Sequence, residues 1–124
     1  MDQKVLIEIA DKKFIAKLYE NAAAKAFASA LPKEFHASRW GDEYYGDCGL
    51  SLQEDKSARE IMEIGELAYW APGKAFCVFF GPTPASTDSR PRAASAVIPL
   101  GCIEGDISAL KKLGPSVNVK ISLM

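Results

Sequence analysis

The chain has 124 residues, 48% hydrophobic and 25% charged, and its 15 basic side chains against 16 acidic ones leave a net charge of −1. At this length one domain over 1–124 is expected, able to bury roughly two-thirds of its unfolded surface without a disulfide or metal staple. The lack of a basic excess argues against nucleic acid as a partner. No apolar run approaches the roughly 18 residues of a membrane span, and the opening MDQKVLIEIAD has no signal-peptide layout. A cytoplasmic protein with no membrane partner is the expectation.

Val5, Ile7 and Ile9 alternate with Leu6, Glu8 and Ala10, and after Asp11-Lys12 the set Phe14, Ala16 and Leu18 alternates again. A period of two predicts a hairpin with one core face on each strand. The Ala-rich stretch Asn21–Leu31 predicts a helix, with Asn21 as N-cap and Ala23, Phe27, Ala30 and Leu31 as its apolar stripe. Pro32 ends it. Lys33–Cys48 reads as one or two irregular strands, best defined between Trp40 and Tyr45. Ser51–Glu63 reads either as a surface loop with a short strand at Glu60–Ile64 or as a helical turn.

The richest stretch is Gly65–Pro84, GELAYWAPGKAFCVFFGPTP. Its two apolar runs, Leu67–Trp70 and Ala75–Phe80, are split by Ala71-Pro72-Gly73 and predict two buried strands. Phe76, Val78 and Phe80 share one face of the second run, and Ala75, Cys77 and Phe79 share the other. Thr83–Ser95 has no large apolar residue and is expected to be a mobile loop. Strand character returns over Ala96–Ile103, broken at Pro99-Leu100-Gly101. Asp106 is placed to cap a short helix over Ile107–Leu113, with Lys111 and Lys112 at its negative end and Gly114 as C-cap. Val117, Val119, Ile121 and Leu123 then alternate along a last strand with one wet face. Seven or eight short strands with two short helices point to a closed antiparallel β-barrel.

Cys48, Cys77 and Cys102 form no CxxC or Cys/His pair, and His36 is the single histidine. Zinc needs about four clustered ligands, so no metal is expected, and no cofactor either. The odd count favours reduced thiols, with Cys77 and Cys102 buried and Cys48 exposed.

Phe14–Leu31 resembles the first hairpin strand and helix of cyclophilin, and Leu100–Met124 resembles that family's last strands and second helix. Gly65–Pro84, together with Trp40-Gly41-Asp42-Glu43-Tyr44, looks most like the small bacterial and archaeal branch of cyclophilin-like proteins. The resemblance covers nearly the whole chain. It implies an antiparallel barrel of about eight strands with a helix plugging each end. It also implies that Phe76, Val78 and Phe80 point inward while Ala75, Cys77 and Phe79 face a groove.

Cyclophilins are prolyl isomerases, in which an arginine from a Phe-His-Arg segment weakens the X-Pro amide resonance and a Phe-Met-x-Gln segment follows. Here Phe35-His36 leads to Ala37-Ser38-Arg39, with no Phe-Met-x-Gln behind it. The same alignment puts Cys77 at the pocket phenylalanine and Val97 at the pocket histidine. Arg39 is therefore the weak catalytic candidate, with a surface arginine lying over Trp40 as the plainer alternative. Trp40, Tyr44, Tyr69, Trp70 and Phe79 are the candidate groove residues, set against ordinary core packing. Arg90 and Arg92 read as a solvated loop pair. Asp42 and Glu43 would not share a proton, because adjacent strand residues face opposite sides.

Three functions follow. The first is a cyclophilin-like barrel binding a small molecule or short peptide in an aromatic groove without turnover. The second is a prolyl isomerase rebuilt around Arg39. The third is a homo-oligomeric interaction module.

Overall fold

Alternation of apolar and polar residues sets most of the architecture. A computed structural model describes residues 3–53 and 56–124. In chain order the elements are β1 (Lys4–Ile9), β2 (Lys12–Leu18), α1 (Ala22–Ser29), β3 (Lys33–Arg39), β4 (Glu43–Asp47), β5 (Arg59–Ile61), β6 (Glu66–Trp70), β7 (Ala75–Phe79), β8 (Arg92–Ile103) and β9 (Ser116–Leu123). Two 3₁₀ turns, Ala71–Gly73 and Ser108–Lys112, complete the set.

Neighbouring strands pair in the order β2-β1-β9-β3-β4-β7-β6-β8, and β2 pairs back onto β8. Eight antiparallel strands thus close into a ring, as the cyclophilin resemblance implied, which removes the exposed edges an open sheet would present. β5 lies outside the ring, paired only to the outer half of β8 through Arg59↔Val97 and Ile61↔Arg92. The expected strand near Glu60–Ile64 is this one, beginning a residue earlier. Glu54 and Asp55 of the same stretch, and Met1 and Asp2 of the N-terminus, lie outside the described residues.

The interior holds Val5, Ile7 and Ile9 from β1 and Val117, Val119 and Ile121 from β9, all buried. α1 closes one end. Asn21 caps it by accepting from the Ala24 amide at 2.8 Å, and Phe27 stacks on Phe76 at 5.3 Å, with Phe35 meeting Phe76 edge-on at 5.8 Å. Such ring pairs add about 0.5–1.5 kcal/mol each beyond the area they bury.

The other end is closed by the Ser108–Lys112 turn through buried Ile107 and Leu110. The short helix expected over Ile107–Leu113 is a 3₁₀ segment over Ser108–Lys112. Asp106 does accept from the Ser108 amide, but Leu113 rather than Gly114 ends the turn, in extended conformation.

β8 begins at Arg92, earlier than the expected Ala96. Its outer half needs no large side chains because Ala93 and Val97 pack against a second apolar cluster with Met62, Ala68, Ala75, Cys77 and Phe79. The register of β6 on β8 shifts between Leu67 and Ala68, opposite Pro99, whose missing N–H suits a bulge. The preceding loop is tied locally: Thr83 donates to the Arg92 carbonyl, Ser86 donates to that of Arg90, and Arg90 pairs with Asp88.

All three cysteines are free. Cys48 is not the exposed one: it continues the inward parity of Tyr44 and Gly46, is 4% exposed, and donates to the Lys74 carbonyl. Cys102 is the partly exposed thiol. A maleimide reagent on the native protein should therefore label Cys102 first, and Cys48 and Cys77 only on unfolding, as read by mass spectrometry of peptides.

The aromatic cleft and its buried carboxylate

A turn at Trp40-Gly41-Asp42 joins β3 to β4. Gly41 has φ +61°, and a Cβ there would come within 2.7 Å of the Pro84 ring and 2.9 Å of the Thr83 backbone. Only glycine fits both constraints. The turn is held by the Asp42 amide donating to Pro82 and the Phe80 amide donating to Asp42. It sets Trp40 and Glu43 beside each other on the outer wall of the ring.

On β4 the alternation sends Tyr44 inward and Glu43 and Tyr45 outward. On β6 it sends Tyr69 inward and Trp70 outward. Trp40, Glu43, Tyr45 and Trp70 meet Ala93, Ala94 and Val97 of β8 around a cavity of ≈ 260 Å³. Trp70 is fixed in place, its Nε1 donating to Ser95 Oγ at 2.7 Å and its ring lying against Gly73.

Of the five expected groove residues, the structure brings Trp40 and Trp70 together at this cleft. Tyr44 and Tyr69 belong to the interior, stacked on Phe80 and donating to Leu50 respectively. Phe79 faces the outer side, as the resemblance implied, but is fully covered within the second cluster behind the cleft wall. Val97 lines the cleft, and Cys77 is buried in the cluster behind its wall. Tyr45 and Glu43 complete the cleft. The signal that finds them is the parity that separates Tyr44 from Tyr45.

Glu43 is the chemically distinctive group. It is 5% exposed, and its Oε1 has no hydrogen-bond partner among the described residues. Burial pushes its carboxyl up to about 7, with only the Cys77 thiol acting in the other direction. The same burial, and the charge of Glu43, hold the Cys77 thiol far above its usual range.

Glu66, equally buried at 2% exposure, shows the satisfied case. Arg59 donates to both its oxygens at 2.9 and 2.6 Å, Tyr19 donates at 2.7 Å, and the Glu63 amide donates at 2.7 Å. Burial raises its pKa, but these donors outweigh burial and leave it below the ordinary value. The network pins β5 to the ring. It leaves nothing free for a ligand.

Arg39 lies apart from the cleft. Nε donates to Gly41, Nη1 to Lys111 and Leu113, and Nη2 to Asp42 at 2.9 Å. Its guanidinium also covers the Phe80 ring at 5.1 Å, so it clamps the 3₁₀ end of the ring. Arg92 pairs with Glu60. Among the described residues no group of three or more metal-binding side chains is found, and no helix is long and apolar enough to cross a membrane.

A closed ring of strands, plugged by one helix and carrying an apolar cleft on its outer wall, is a cyclophilin-type architecture. The sequence matches the cyclophilin-like family over residues 3–122, and the chain belongs to that family. It is similar to the solution structure of a hypothetical protein from Archaeoglobus fulgidus, at 34% identity and a TM-score of 0.83, over 99% of this chain and 95% of that one. No curated protein matches it.

The native pKa of Glu43 lies above the 4.5 of an ordinary glutamate. Its contribution to stability is therefore complete below pH about 4.5 and is lost as pH rises through 7. Glu43→Gln, which cannot ionise, should gain on the wild type by about 3 kcal/mol between pH 4 and pH 8. Urea unfolding of both proteins across that range checks this; a stability difference independent of pH would contradict it.

Proposed function

We propose that the chain is a non-catalytic binding barrel, whose Trp40–Trp70 cleft takes a compact small molecule or one side chain of a short peptide. The observation that carries this is the cleft itself: aromatic walls, with Trp70 held by its hydrogen bond to Ser95, around a buried carboxyl whose Oε1 has no partner. Apolar walls with a few placed polar groups are what ligand sites contain. At ≈ 260 Å³ the cavity is somewhat below the roughly 300–1,000 Å³ of drug-sized sites, which favours a compact ligand.

The state of Arg39 weighs against prolyl isomerisation. An arginine that weakens amide resonance needs N–H groups aimed at the substrate, and four of the five of Arg39 are committed to three backbone carbonyls and Asp42. Of the large exposed hydrophobic side chains among the described residues, Tyr45 lines the cleft while Ile15, Tyr19, Ile64, Leu123 and Met124 lie off it, so the exposed apolar surface is not gathered there as a self-assembly face requires. Three free thiols fit a reducing, cytoplasmic setting.

The test is a two-dimensional NMR titration with a panel of metabolites and short peptides. The indole N–H signals of Trp40 and Trp70 should move together on binding, while exchange spectra of an X-Pro peptide with the same sample stay at the uncatalysed rate. Acceleration that disappears in Arg39→Ala would instead establish the isomerase.

A further inference from the structure

The two buried glutamates among the described residues differ in one respect. Glu66 has a guanidinium from its own chain against both oxygens; Glu43 has none. The side chains around the Glu43 cavity are Trp40, Tyr45, Trp70, Ala93, Ala94 and Val97, and none is basic. Oε1 is itself almost fully covered, so a ligand reaches it only by displacing part of the wall, and because a carboxylate only accepts hydrogen bonds that ligand must donate. An ionised carboxylate under low-dielectric walls is also costly without a countercharge. Indole and phenol faces attract cations through the ring quadrupole, so walls and floor select the same chemistry.

We propose that the Trp40–Trp70 cleft recognises a compact organic cation, a protonated amine, amidine or guanidine, that donates to Oε1 of Glu43 between the aromatic side chains. The ligand supplies to Glu43 what Arg59 supplies to Glu66. This rests on the cleft being the ligand site. The cation is either a free small molecule or the tip of a peptide lysine or arginine, since both present the same donor.

Recognition requires the ionised carboxylate, so a proton competes with the ligand. The groups that face Glu43 are few. Cys77 comes from β7, while Tyr45 and, farther along the same face, exposed Asp47 come from its own strand. β6 presents Trp70, and β8 presents Ala93, Ala94 and Val97. Neighbouring Asp42 is engaged by Arg39. Cys77 stays a neutral thiol through the working range, leaving Glu43 to set the pH dependence.

Benzamidine and its uncharged near-isostere benzamide form the first probe pair, and capped Gly-Arg-Gly and Gly-citrulline-Gly the second. Binding is read from the Trp40 and Trp70 indole signals. At pH 8 the charged member of at least one pair should bind about ten- to a hundredfold tighter than its neutral twin. That advantage should shrink toward tenfold for each pH unit below about 7, and vanish in Glu43→Gln, whose fold is checked by its amide spectrum. Should that variant not fold, the wild-type pH profile decides alone. Preference for benzamidine over the arginine peptide marks a free small molecule, and the reverse marks a peptide side chain. Equal binding within both pairs, or a charge preference that is flat from pH 5 to 8 or persists in Glu43→Gln, would overturn the cation assignment and leave the cleft as a binding site. If neither pair moves the indole signals at millimolar concentration while the metabolite panel does, the assignment fails alone; if the panel is silent too, both readings fail.

Discussion

β7 is buried on both faces, and the rest of the structure is arranged around that constraint. Phe76 and Val78, with Phe80 just beyond the strand, fill the ring, while Ala75, Cys77 and Phe79 pack against the outer cluster. A strand apolar on one side would leave the outer wall wet. Being apolar on both, β7 requires a second layer, which Met62, just past β5, and the early half of β8 supply. Small residues at Ala93 and Ala94 then make sense: they leave open the space beside Trp70. The cleft is the edge of this second layer, where cover runs out between β4 and β8.

The same constraint explains why an acid is buried at Glu43. It pairs with Phe79 across β4 and β7, so it is carried under the outer layer by register. Glu66 reaches a similar depth and is compensated by Arg59, Tyr19 and a backbone amide. The fold thus completes one buried carboxylate fully and leaves the other with a bare oxygen, the contrast on which the proposed site rests. Arg39 belongs with the structural set. Its hydrogen bonds join the β3–β4 turn to the carbonyls of Lys111 and Leu113, tying the turn that carries Trp40 to the ring's closed end.

Much of this was legible in the chain. Strict alternation in Val5–Ile9 and Val117–Leu123 gives the ring its inner face, Asn21 before an Ala-rich run gives the helix, and the two faces of Ala75–Phe80 separate as the pattern implies. The cleft was only half legible. Counting aromatic residues places Tyr44 and Tyr69 beside Trp40 and Trp70, whereas parity assigns Tyr44 and Tyr69 to the interior and Tyr45 to the outside. Considered only as a proton-sharing partner for Asp42, Glu43 carries nothing. Its role depends on β8 lying over it, a contact some fifty residues away along the chain that no local pattern encodes. Cys48 and Arg39 are similar cases, since their surroundings come from Lys74 and from the Lys111–Leu113 turn. Alanines in β8 look like loop until the second layer gives them something to cover.

That a buried acid with one unpartnered oxygen is held under an aromatic wall is the claim on which the proposed site depends. Carbon-13 labelling of the glutamate side chains, followed by a pH titration of the Glu43 carboxyl signal, tests it directly. A midpoint near 7 is expected, with the Trp40 and Trp70 indole signals following the same curve. A midpoint near 4.5, with the indole signals unmoved, would mean that water or a protein donor already satisfies Oε1 and that the cleft has no special acid.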